Sequence, residues 1–146
     1  MGRPARAFLG LLTVGAVIGA CGGPPATVSQ QLRSWAAGAG WPANVRTVSG
    51  DLAGLPAVGS DSPGARRTFC DVLVTDALSA NEQLPTPDGE LTSLLSQGYT
   101  AAAAAGRACF AGSAEVPGAV SQGRRAASAL VRAEARYDAL TSRLPS

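Results

Sequence analysis

Three cysteines, ten acids and twelve arginines hold most of the reactive chemistry of this chain, which has no lysine and no histidine. Without histidine the commonest general base and the commonest metal ligand are both missing. Cys21, Cys70 and Cys109 therefore have no obvious base to turn one into a nucleophile, and Ser29, Ser121 and Ser128 lack one for the same reason. No cysteine pair has the spacing of a metal knuckle. The scattered glycines cannot lead into the Lys-Ser/Thr pair of a phosphate loop. Among the acids, Asp71, Asp76, Asp88 and Glu90 are the candidates for a general-acid pair or a calcium site. Asp71 and Asp76 stand about 140° apart around a helix, so they do not face each other. Asp88 and Glu90 are accounted for by a place in the first turn of a helix. Arg124 and Arg125 form an adjacent cationic pair, for which a solvated face is the plainer reading. No catalytic residue, cofactor or metal site emerges, and the chain reads as a non-enzyme whose thiols do structural work.

Cys21 is placed by what precedes it. Met1–Arg6 carries two arginines and no acid, and Ala7–Ala20 is apolar or small throughout. As a helix that stretch reaches about 21 Å, short of a hydrocarbon layer of about 30 Å. A basic region and a short apolar core make a secretory signal. Its last residues, Ile18-Gly19-Ala20-Cys21, resemble the bacterial lipobox. The resemblance implies a diacylglycerol on the Cys21 thiol, cleavage between Ala20 and Cys21, and acylation of the new amino terminus with chains such as palmitate. The rival is an ordinary secreted protein cut nearby. Two or more acyl chains anchor firmly where one is marginal. Arg3 and Arg6 are separated, so a twin-arginine signal is not indicated.

Cleavage changes the charge balance. The formal +2 comes from Arg3 and Arg6, and the 126 residues that remain carry ten arginines against ten acids. Neutrality argues against a nucleic-acid partner. An arginine-only, Ala- and Gly-rich composition suggests a GC-rich actinobacterial genome. Cys70 and Cys109 are the even pair left in an exported chain, most simply one disulfide. Closing a loop of about 40 residues contributes about 4 kcal/mol by chain entropy. Two buried free thiols are the alternative.

The elements that must position these groups are helices. Residues 21–26 are a lipidated tether and 27–146 the domain. Thr27 and Gln30 form a capping box, followed by Val28, Leu32 and Trp35. Gly38, Gly40 and Pro42 interrupt the helix. Trp41, Val45, Val48, Leu52 and Leu55 then step by four and three, which predicts a second helical piece over Ala43–Ala57, with a strand over Asn44–Val48 as rival. Ser62-Pro63 opens a helix to about Asn81, with Phe69, Leu73, Asp76 and Ala80 on one side and Cys70, Val74, Ala77 and Asn81 on the next. Arg66, Asp71 and Glu82 read as solvent-side charges. Thr86 as cap and Pro87 as first residue start a helix striped by Leu91, Leu95, Gly98, Ala102, Ala105 and Cys109. The last runs from Val116 or Pro117 to Leu144, striped by Ala126, Leu130, Ala133, Tyr137, Leu140 and Leu144.

Each stripe needs a partner, and an all-α antiparallel four-helix bundle with a kinked or interrupted first helix is the simplest solution. A tight hairpin would leave Cys70 and Cys109 about 17 Å apart along the axis, against a Cα separation of at most about 7 Å. Pairing them requires the Glu82–Thr86 connection to overrun the preceding helix, or a break in one helix.

The lipobox, the helical domain, Phe69-Cys70-Asp71, Leu84-Pro85-Thr86-Pro87-Asp88 and Ala108-Cys109-Phe110 together resemble small actinobacterial lipoproteins of uncharacterised function. The resemblance implies an extracytoplasmic, lipid-anchored protein and brings no catalytic or binding residue. Two functions follow. One is a non-enzymatic module that binds an envelope protein or wall polymer. The other is a small-molecule or lipid carrier whose pocket opens where Gly98, Ala102, Ala105 and Gly123 leave room. An apolar cavity with a mouth would favour the carrier; a filled core with a patch rimmed by Trp or Arg would favour the module.

Overall fold

A computed structural model describes residues 25–142. Ala20, Cys21, the signal segment and Leu144 lie outside the described residues. The described chain is all-α, with five interacting helices: α1 (Val28–Gly38), α2 (Ala43–Gly54), α3 (Pro63–Asn81), α4 (Gly89–Ala111) and α5 (Val116–Thr141). Short 3-10 turns at Ala57–Ser60 and Ser113–Glu115 join α2 to α3 and α4 to α5. Among the described residues, no helix is long and apolar enough to cross a membrane.

The caps follow local chemistry. Thr27 and Gln30 form the expected box, and the Ser62 hydroxyl accepts from the Ala65 amide ahead of Pro63. Gly40 takes a left-handed φ of 70° in the turn between α1 and α2, which glycine adopts without a Cβ clash. That break makes two helices of the first segment. The strand over Asn44–Val48 does not form, because Val45, Val48, Leu52 and Leu55 point into the core on one helical face. The second piece stops at Gly54, short of the expected Ala57, and the chain continues into a 3-10 turn over Ala57–Ser60. The α4 cap is Asp88, two residues later than expected. Its Oδ1 accepts from the Leu91 amide at 2.8 Å. Thr86 instead ties the connection down: its amide donates to Thr92 Oγ1 at 2.9 Å and its hydroxyl to the Asp88 carbonyl at 2.7 Å.

A disulfide joins Cys70 to Cys109, with Cα atoms 5.8 Å apart and both residues buried. Cys70 lies 11 residues before the end of α3, and Cys109 lies 20 residues after the start of α4. Those spans are about 16 Å and 30 Å. Both helices stay continuous, so the connection overruns α3 and α4 projects past it by about 14 Å. The space beside the overhang is taken by aromatics. Trp35 and Trp41 approach to 5.9 Å between ring centroids and Trp41 and Tyr137 to 5.1 Å. Trp35 Nε1 donates to the Gln83 carbonyl at 3.0 Å, fastening α1 to the connection.

The most extensive interface is α4 on α5, then α3 on α4. The α4 stripe from Leu91 to Cys109 is buried throughout, as its spacing predicts. In α3 the buried line is Arg66, Cys70, Leu73, Ala77 and Ala80, running between the two candidate sides. Arg66 is therefore not a solvent-side charge: only 7% of it is exposed, and its Nε has no partner among the described residues.

The places where small residues were expected to leave room are filled. A Cβ on Gly98 would stand 2.6 Å from Leu130 Cδ2, one on Gly106 2.9 Å from the Cys70 carbonyl, and one on Gly123 3.2 Å from Leu55 Cδ2. The helices use the missing side chains to close on one another.

Candidate functional site

Among the described residues, two open grooves stand apart on this filled core, sharing no lining residue. The first, about 490 Å³, runs between α4 and α5. Gln97 and Ala101 come from α4, and Arg124, Arg125, Ser128, Ala129 and Arg132 from α5. Its shape follows from residue size. Ala101 of α4 and Ala129 of α5 give a low floor beside the long arginine side chains of α5. Arg125 and Arg132 are two turns apart, about 10.5 Å along the axis.

Charge separates across α5. Arg136, one turn beyond Arg132, is held by Asp88 and Glu90. Among the described residues, Arg124, Arg125 and Arg132 have no carboxylate within ion-pairing distance, and all three are exposed. Arg125 Nη1 reaches only the Ser121 hydroxyl, at 3.3 Å. Among the described residues, the trench thus presents three guanidiniums without carboxylate partners, planar forks suited to phosphate or carboxylate. Arg124 and Arg125 were visible in sequence. Arg132, Gln97 and the alanine floor were not, because only the α4–α5 register brings them to one trench.

The second groove, about 460 Å³, lies between the α1–α2 turn, α2 and the end of α3. Gly38, Ala39, Gly40, Asn44 and Thr47 line one side, and Asp76, Ser79, Ala80 and Gln83 the other. Its inner end narrows to a small cleft that shares Ala39, Asn44, Ala80 and Gln83 and is closed by Trp35, Trp41, Leu84, Leu95 and Tyr99. Behind the rim, Asp51 of α2 lies near Asp76 of α3. Burial, then the charge of Asp76 and its hydrogen bond, raise the Asp51 pKa above the ordinary carboxylate value.

No family model matches the chain, and no curated protein or solved structure is similar to it.

The four acids noted in sequence end in three places. Asp88 and Glu90 share Arg136. Asp71 stands with Val74, Arg107 and Phe110 around a shallow apolar depression. Asp76 faces Asp51, a partner that sequence reasoning missed. The available signal was a carboxylate on an apolar stripe, Phe69-Leu73-Asp76-Ala80, which needs a partner from a neighbouring helix. Among the described residues, no three His, Cys, Asp or Glu side chains gather as a metal site would require.

Proposed function

We propose that this protein is a lipid-anchored, non-enzymatic binding module on the extracytoplasmic face of the cell membrane. Cys21 carries the anchor after cleavage at Ala20, residues 21–26 are the tether, and residues 27–146 form the domain. Taken with α1 and α2 as one interrupted arm, that domain is an antiparallel four-helix bundle of the kind found in small actinobacterial lipoproteins. The partner is an anionic wall polymer or the acidic face of an envelope protein, held in the α4–α5 trench.

One observation carries this reading: three exposed guanidiniums without carboxylate partners wall a trench in a domain whose mature charge is balanced. The trench lining carries three arginines and no acid, which favours encounter with an anion. The filled contacts at Gly98, Gly106 and Gly123 weigh against the carrier alternative, which needs an apolar interhelical cavity.

The test is photo-crosslinking in cells from a reactive side chain at Ser128, inside the trench. A defined polymer or protein captured by the wild-type trench, and lost when Arg124, Arg125 and Arg132 are all changed to Gln, is the expected result. Equal capture from the triple variant would reject the trench as the contact surface.

A further inference from the structure

The α2–α3 groove differs from the trench in its chemistry, and we propose that it is a binding site for a neutral, hydroxyl-rich chain, that is, an oligosaccharide. No cation lines it. Its side chains are an amide from Asn44, hydroxyls from Thr47 and Ser79, a carboxyl from Asp76 and an amide from Gln83. Such groups both donate to and accept from sugar hydroxyls.

Most of this hydrogen-bonding capacity is uncommitted. Thr68 and Thr141 return their hydroxyls to carbonyls four residues back, the ordinary habit in a helix. Among the described residues, Thr47 and Ser79 make no such bond and the Gln83 side-chain amide is unengaged, and all three side chains are exposed. Asn44 uses Nδ2 on the Ala39 carbonyl at 2.8 Å, which fixes the amide and leaves Oδ1 open. Its orientation is thus preset.

Behind the rim the Asp51 carboxyl lies near that of Asp76, and burial, followed by the Asp76 charge, raises the Asp51 pKa above the ordinary carboxylate value. With no cation and with the Asp76 carboxyl in its lining, the groove has little electrostatic purchase on an anion. Inward, the groove narrows to a cleft of about 10 Å³ closed by the half-buried indoles of Trp35 and Trp41, too small for a sugar ring, so the oligosaccharide lies in the open groove. A volume of about 460 Å³ falls within the range of small-ligand sites. This site stands whether or not the trench binds an anion.

The experiment is an NMR titration of the isotope-labelled full-length lipidated protein in detergent micelles. The probes are four linear tetrasaccharides, built of β-linked N-acetylglucosamine, β-glucose, α-glucose and α-mannose, with spermidine as a cationic comparison. At least one tetrasaccharide should shift amides within residues 38–47 and 76–83. Ser79→Trp, which fills the groove from an exposed helix position, and Asp76→Asn should each weaken that binding by at least about tenfold. Unchanged helical circular dichroism in Ser79→Trp separates occlusion from unfolding. No response to any tetrasaccharide, shifts confined to Gln97–Arg132, or a response at the groove to spermidine alone would each overturn the assignment.

Discussion

Arg136 of α5 grips the same Asp88 carboxylate that caps α4. Its Nε stands 3.2 Å from Oδ1 and its Nη2 2.9 Å from Oδ2, while Oδ1 also accepts from the Leu91 amide at 2.8 Å. A third contact, Nη1 to Glu90 Oε2 at 3.1 Å, completes the clasp. One side chain thereby ends a helix, complements its dipole and fixes where α5 crosses it.

The hydrogen bonds from Arg136 hold the Asp88 carboxyl below its ordinary pKa. A depressed carboxylate contributes stability above its unfolded pKa of about 3.9, and that stability is lost as pH falls through the lower folded value. Asp88→Ala, which removes cap and ion pair together, should cost about 0.5–2 kcal/mol. Asp88→Asn keeps an Ncap acceptor and should cost less. Its deficit in thermal melts should be full near neutrality and shrink below about pH 3.9. A deficit constant down to pH 2 would contradict the clasp.

Asp51 has the opposite sign. Its raised folded pKa means that the native state binds the proton more tightly, so stability declines as pH rises from the unfolded value through the folded one. Asp51→Asn should therefore melt higher than wild type near neutral pH and no differently below about pH 3.9. A variant less stable than wild type at neutrality would show that the ionised form of Asp51 has a favourable partner.

Glycines separate by what a methyl group would meet. Gly50→Ala, on an open face of α2, should gain about 0.5–1 kcal/mol from helix propensity. Gly106→Ala would press on the Cys70 carbonyl at 2.9 Å, backbone that cannot rotate away, and should lose about 1–3 kcal/mol despite the same propensity gain. Urea denaturation of the two variants decides it. Equal shifts would mean that α3 and α4 are not this close.

Reducing Cys70–Cys109 should lower stability by about 2–4 kcal/mol, because the bridge closes a long loop in the unfolded chain. Melts with and without reductant, checked by thiol titration, measure the loss. An unchanged midpoint in fully reduced protein would contradict that contribution.

Much of the fold was legible because helical burial has a period. The α4 stripe and the lines Val45-Val48-Leu52-Leu55 and Ala126-Leu130-Ala133 are buried where four-three spacing places them. The α4 start was misread because Thr86, Pro87 and Asp88 all favour a helix N-terminus, and only the Thr86–Thr92 contacts decide among them. Arg66 was misread because its burial depends on what packs across from it. The grooves were legible only in fragments. Arg124 and Arg125 sit side by side in sequence, but Gln97 joins them through helix register, and Asp51 meets Asp76 only across α2 and α3.

The proposed lipid anchor has its own consequence. Changing Cys21 to Ser should release the protein from the membrane fraction or leave an uncleaved precursor. Mass spectrometry that finds an unmodified mature terminus at another residue would reject the lipidation of Cys21.

The most direct measurement is co-sedimentation of the full-length protein, in detergent, with purified insoluble envelope material from the producing cells across a salt series. Wild type should pellet with that material at low salt and be released as ionic strength rises, because exposed charges are screened beyond about 10 Å at 0.1 M. The Arg124→Gln, Arg125→Gln, Arg132→Gln variant should remain in the supernatant at every salt concentration. Wild type that never pellets, or a triple variant that pellets equally well, would contradict a binding module built on the α4–α5 trench.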